Sequence, residues 1–116
     1  MPRKFIKSFS FAREGAQHAL KTQRNLWIHF MAGLLVLAFA AWLRISRLEF
    51  AVLVGAIFGV IVTEMLNTAI EELVNILSPE HRTEAALAKN VAAAAVLLAS
   101  LGAVVVGGII FIPKVV

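Results

Sequence analysis

Glu64, Asn67, Thr68, Glu71 and Asn75 interrupt the apolar stretch from Leu48 to Leu77, and they are the residues of this chain best suited to chemistry. Their spacing of i, i+3, i+4, i+7 and i+11 sets them along one face of a helix. Carboxylates inside so apolar a helix are costly, and their presence suggests a task. An acidic residue near a bilayer centre costs roughly 2.5 to 3.5 kcal/mol on insertion scales. Glu64 lies about four turns before Pro79, deep enough to bear much of that cost, so it should face protein or water and not lipid. Asn67 and Thr68 also suit simple interhelical glue, worth about 0.6 kcal/mol per hydrogen bond. Two ionisable groups suit it poorly, because uncharged ones would do the same with less desolvation. Asn75, nearer the water, is open to either role.

The elements that must position this stripe are apolar helices. Of the 116 residues, 60% are hydrophobic, and none is cysteine, which excludes disulfides and thiolate metal sites. The expected architecture is all-α and integral to a membrane, one domain over 1–116. An amphipathic surface helix spans 2–24, and transmembrane helices span 26–45, 48–77 and 84–113. In the first helix Phe5, Phe9, Ala12, Ala16 and Leu20 recur at helical spacing, with Arg3, Lys4, Lys7, Arg13 and Lys21 falling largely elsewhere, as in a helix lying in the headgroup plane. A soluble arm would show the same pattern. Lys4, Lys7 and Arg13 break any signal-peptide core. Trp27 and Trp42 bracket the first span at interface positions. Gly55 and Gly59 form a GxxxG spacing that permits close helix approach.

The net charge of +4 does not point to nucleic acid, since the basic residues flank apolar segments and no aromatics interleave them. Six of them precede the first span, against Arg44 and Arg47 after it, so the amino terminus is expected to be cytoplasmic and the carboxyl terminus outside. Single residues say less. His29 on an apolar face reads as a packing histidine, and His18 and His81 lack metal-ligand spacing with each other or with an acid. Glu72 falls on a different face from Glu71 and reads as solvated. Lys89 reads as a headgroup anchor, unless a phosphate site lies nearby.

Taken together, several blocks resemble the prokaryotic diacylglycerol kinase and undecaprenol kinase family. Glu64-Met65-Leu66-Asn67-Thr68-Ala69-Ile70-Glu71 is similar to its E-x-x-N-S/T-A/S-x-E signature. Ala88-Lys89-Asn90-Val91-Ala92-Ala93-Ala94-Ala95 resembles the A-K-D-x-A-A/S-x-A segment that opens its third span. Phe11-Ala12-Arg13-Glu14-Gly15 is similar to F-A-x-x-G, and the run from Thr22 to His29 to T-E/Q-x-N-F/L-R-I-H. The likeness covers nearly the whole chain in order. It implies a homotrimer of three-span subunits in the bacterial inner (plasma) membrane, which moves the γ-phosphoryl group of ATP, with Mg²⁺, to a lipid hydroxyl of undecaprenol or diacylglycerol. On this likeness Glu64 is the general base, and Glu71 and Gln23 are metal ligands. Phe11, Gln23, Asn67, Glu71, Asn75, Lys89 and Asn90 meet the nucleotide, and Asn25, Trp27, His29 and Glu64 meet the lipid.

Departures from the family pattern cluster at charged positions. Gln23, Asn75 and Asn90 stand where acids are usual, Trp27 replaces an arginine and Ala86 a lysine. An amide keeps a carbonyl oxygen without the charge, so weaker metal and nucleotide binding is expected. The alternatives to a lipid kinase are a weakened or inactive relative that binds lipid or nucleotide, and a small channel or proton-relay oligomer built on Glu64.

Overall fold

In the computed structural model, which describes residues 2–116, the chain forms four helices, and local chemistry accounts for each break between them. Met1, the first residue of the expected domain, lies outside the described residues. Helix α1 (Pro2–Thr22) stops two residues before the expected end, because Gln23 turns extended at φ −116° and ψ 104°. Helix α2 (Arg24–Leu43) starts immediately after it and ends where Arg44 adopts a left-handed φ of 54°. The Arg44 N–H then bonds Ala41 O and the Ile45 N–H bonds Ala40 O, at 3.1 and 3.4 Å. This is the Schellman arrangement, with Ile45 packed back on Ala40.

Ser46 caps α3 (Arg47–Leu77) through a complete capping box. Its hydroxyl accepts from the Glu49 N–H at 3.1 Å, and the Glu49 carboxylate accepts from the Ser46 N–H at 3.0 Å. Past α3, buried Ser78 organises the hinge: its carbonyl takes the His81 N–H and its hydroxyl takes the Arg82 N–H. Helix α4 (Thr83–Val115) passes through Pro113, which sits in the last turn, where the lost N–H removes a single ladder bond.

Helices α2, α3 and α4 are each long and apolar enough to cross a membrane. At 1.5 Å per residue α3 and α4 are about 46 and 50 Å long, more than a hydrocarbon core of about 30 Å requires. Helix α3 is the central member, packed most extensively on α4 and also on α2. The core sits toward one end, where Ala40, Leu53 and Ile110 meet, flanked by Val36, Ile57, Val106 and Phe111. Phe39 stacks on Trp42 and tilts against Phe111, and Lys114 pairs with Glu49 at 3.3 Å. The opposite end, by the Ser78 hinge, carries the polar residues.

Helix α1 is attached chiefly through its last turn. Ala19 is buried and Ala16 and Leu20 are partly covered, whereas Phe5 and Phe9 are both more than two-thirds exposed, at 76% and 71%. A three-helix bundle alone would not need the 42 Å second dimension of this molecule.

Gly33 shows how closely α2 approaches α3. A Cβ at that position would lie 2.8 Å from Cγ2 of Ile57, a β-branched side chain with little freedom to move. Gly33→Ala is therefore expected to destabilise the bundle by about 1 to 3 kcal/mol, read as a lowered unfolding midpoint in detergent micelles, with Ile57→Ala restoring much of the loss.

Candidate active site

The buried face of α3 changes character along its length. Leu53 and Val60 are apolar, and the next positions on that face are Glu64, Asn67 and Thr68, with exposures of 3%, 9% and 4%. Thr68 is accounted for locally, its hydroxyl donating to the Glu64 backbone carbonyl at 3.1 Å. The Glu64 carboxylate faces α2, with Oε2 3.6 Å from Nε2 of His29. That distance suits a weak ionic contact, and an acceptor hydroxyl entering between the two could bond both. His29 is thus paired with an acid, which the packing interpretation of its sequence position does not anticipate.

One turn on, Asn67 Nδ2 donates to Glu71 Oε1 at 3.0 Å, leaving the second carboxylate oxygen of half-buried Glu71 open. Asn67 Oδ1 is buried without a hydrogen-bond partner. Unsatisfied buried oxygens are uncommon in native proteins and call for an explanation, a missing ligand among them. Farther along, the stripe leaves the interior: Asn75 is exposed, and its Oδ1 accepts from Lys89 Nζ of α4 at 2.7 Å. From Glu64 to Asn75 the column rises about 16 Å along the helix, from the apolar interior to the hinge end.

The other expected site residues lie around this column with fewer ties. Gln23 is half-buried at the α1–α2 break and does not cap α2 with its side chain. Asn25, Asn90 and Phe11 are exposed. Trp27 donates its indole N–H to the Leu20 carbonyl at 2.6 Å, satisfying an acceptor that the end of α1 leaves open. The residue expected at the lipid therefore also braces the elbow. Glu72 is solvent-exposed, as its position on a different face from Glu71 implies, and its Oε1 also lies 2.5 Å from His18 Nε2 on α1. The two are 54 positions apart, and no periodicity within either helix could have signalled the pair.

Between α2, α3 and α4 runs a groove of about 390 Å³ with His29 at its lining, together with Gly33, Val60, Ser100, Gly107 and Phe111. Its walls are almost wholly apolar, so an aliphatic chain could lie there with a polar terminus at His29 and Glu64.

No three of His, Asp and Glu converge to form a ready metal cage among the described residues. That donor set still fits Mg²⁺, which is commonly held by one or two carboxylates, substrate phosphates and water. Glu71 offers a carboxylate oxygen and Asn67 an unpartnered carbonyl oxygen beside it.

A buried carboxylate facing a partly buried imidazole, an amide one turn away, an acid two turns away and a lysine near the hinge end, all carried by apolar helices, define a membrane-embedded helical protein. The family model for prokaryotic diacylglycerol kinase matches residues 10–111, and the chain belongs to that family. It is 38% identical to a diacylglycerol kinase of Synechocystis over 93% of this chain, and spans 62% of that protein's length. It is 34% identical to the undecaprenol kinase of Bacillus subtilis, over 96% of this chain and 90% of that one. A diacylglycerol kinase of Escherichia coli is 28% identical over 88% and 84%.

The Glu64–His29 contact predicts an energetic coupling. His29→Ala leaves a buried carboxylate without its partner and should lower the unfolding midpoint in micelles. In Glu64→Gln the same change should cost less, giving a double-mutant coupling of about 0.6 kcal/mol or more.

Proposed function

We propose that this chain is an ATP-dependent lipid kinase of the bacterial plasma membrane, transferring the γ-phosphoryl group to the hydroxyl of undecaprenol or diacylglycerol. The observation that carries it is Glu64, 3% exposed in an apolar helix, facing His29 beside an apolar groove. A carboxylate in that setting can take the proton of an alcohol whose hydrocarbon tail stays in the bilayer. The names of the relatives support the acceptor class.

In this proposal the acceptor hydroxyl enters between Glu64 and His29. Glu64 accepts its proton as the oxygen attacks the γ-phosphorus, the bond from that phosphorus to the β,γ-bridging oxygen breaks and ADP leaves, and His29 orients the carboxylate. Low local dielectric around Glu64 strengthens both contacts. Lys89 holds the phosphates as a point charge. Its bond to Asn75 is to a neutral amide, which brings no counter-charge to compete with the phosphates. Glu71, Asn67 and Gln23 hold Mg²⁺, which when bound neutralises phosphate charge. Phe11 and Asn90 flank the nucleotide, and Asn25 and Trp27 meet the lipid headgroup.

The amino terminus is cytoplasmic on this proposal, consistent with the six basic residues before the first span. Helix α1 rests in the headgroup layer, with Phe5 and Phe9 in lipid. The unit is a homotrimer. Gly55 and Gly59 leave open space on α3 at positions where a second copy can approach.

A slower, nucleotide-binding relative is favoured by one observation, the amides at Gln23, Asn75 and Asn90. Transfer of labelled γ-phosphate from MgATP to each lipid in mixed micelles decides between them. Label in either lipid is expected, with Glu64→Gln abolishing it in an intact oligomer; unchanged turnover in that variant would remove the general base. Lys89→Ala should raise the KM for MgATP about tenfold or more, as loss of a charged hydrogen bond does, with the lipid KM unchanged.

A further inference from the structure

Helix α1 holds its place through few contacts, and one of them joins it to α3 at a telling position. His18 Nε2 lies 2.5 Å from Glu72 Oε1, with both side chains about half exposed. His18 precedes Gln23 by five residues in the last turns of α1, and Glu72 directly follows Glu71. The bond therefore ties the segment bearing one expected ligand to the segment bearing another. Its surroundings support a seated contact. Ala19, next to His18, is buried at 4% exposure, although residues 3–15 of the same helix are exposed throughout. The Thr22 hydroxyl bonds the His18 carbonyl at 2.8 Å, and Trp27 bonds Leu20 O at 2.6 Å, so the turn that carries His18 is braced on both sides. Neither His18 nor Glu72 belongs to the polar column of Glu64, Asn67, Thr68, Glu71 and Asn75.

We propose that His18 and Glu72 form a clasp within one chain that docks the last turns of α1 against α3 and so holds Gln23 in register with Glu71 at the nucleotide site. This rests on the kinase reading for the identity of the ligand. The pair acts through Gln23 and Glu71, so both are positioning residues. Without the clasp α1 still joins α2 at the elbow, but it swings about Gln23, and the nucleotide meets a looser site. The chemistry at Glu64, which lies about 12 Å down the helix at 1.5 Å per residue, is not touched.

Two readouts on the full-length protein test this. Because the chain has no cysteine, His18→Cys with Glu72→Cys gives a unique thiol pair. Reaction in membranes with a short bis-methanethiosulfonate should join the pair within one chain, seen as a single-chain band with both thiols blocked. A link between chains, or none, overturns the clasp. The second readout is the Kd of a non-hydrolysable ATP analogue with Mg²⁺. His18→Ala and Glu72→Ala should each weaken it about two- to fivefold, the scale of an exposed pair, with kcat on lipid retained. The exchange of partners, His18→Glu with Glu72→His, should restore it. An unchanged Kd, a loss confined to kcat, or no restoration overturns the proposal, as does a wild-type chain that binds no analogue. Analogue binding without lipid phosphorylation would overturn the kinase reading alone and leave the clasp standing.

Discussion

Holding a carboxylate inside an apolar helix bundle is the constraint around which this chain is organised. Glu64 sits in a helix that contains Leu53 and Val60 on the same buried face, and it has few polar groups within reach. Its charge can be kept there only if protein supplies the solvation that lipid cannot. His29 faces it from α2 at 3.6 Å, and α2 can come close because Gly33, one turn on, has no side chain to collide with Ile57. The same close approach sets the groove in which a hydrocarbon chain would lie. A packing detail and a chemical one thus share a single cause.

From Glu64 outward, the polarity of the α3 face increases in steps that match depth. Thr68 satisfies itself on its own helix, Asn67 and Glu71 bond each other, and Asn75 reaches Lys89 across to α4. Exposure rises along the face, from buried Glu64, Asn67 and Thr68 to half-buried Glu71 and exposed Asn75. The gradient separates a dry end at Glu64 from a wet end at Asn75 and Lys89. The orphaned Asn67 carbonyl oxygen lies at the boundary between them.

The end remote from the site serves a different purpose. There the Ala40, Leu53 and Ile110 cluster, the Schellman turn at Arg44, the Ser46–Glu49 capping box and the Lys114–Glu49 pair are concentrated. Rigid anchoring at that end leaves the hinge end and α1 with fewer contacts, as sites that must admit ligands commonly are.

Much of this was legible in the residues. Three apolar runs of spanning length, the i, i+3, i+4, i+7 stripe of α3 and the basic flank of the first span are local patterns, and they determined the helices, the polar face and the likeness to a kinase family. Tertiary structure alone decided the partners. His29 reads as a packing histidine until α2 is brought against α3, the His18 partner of exposed Glu72 comes from a separate helix, and the elbow bond of Trp27 follows from the extended turn at Gln23. Periodicity reports which residues share one helix face, because that geometry repeats every 3.6 residues. It carries no information about what stands opposite that face, which depends on how separate helices pack, and pairs such as His18 with Glu72 belong to that second kind of fact.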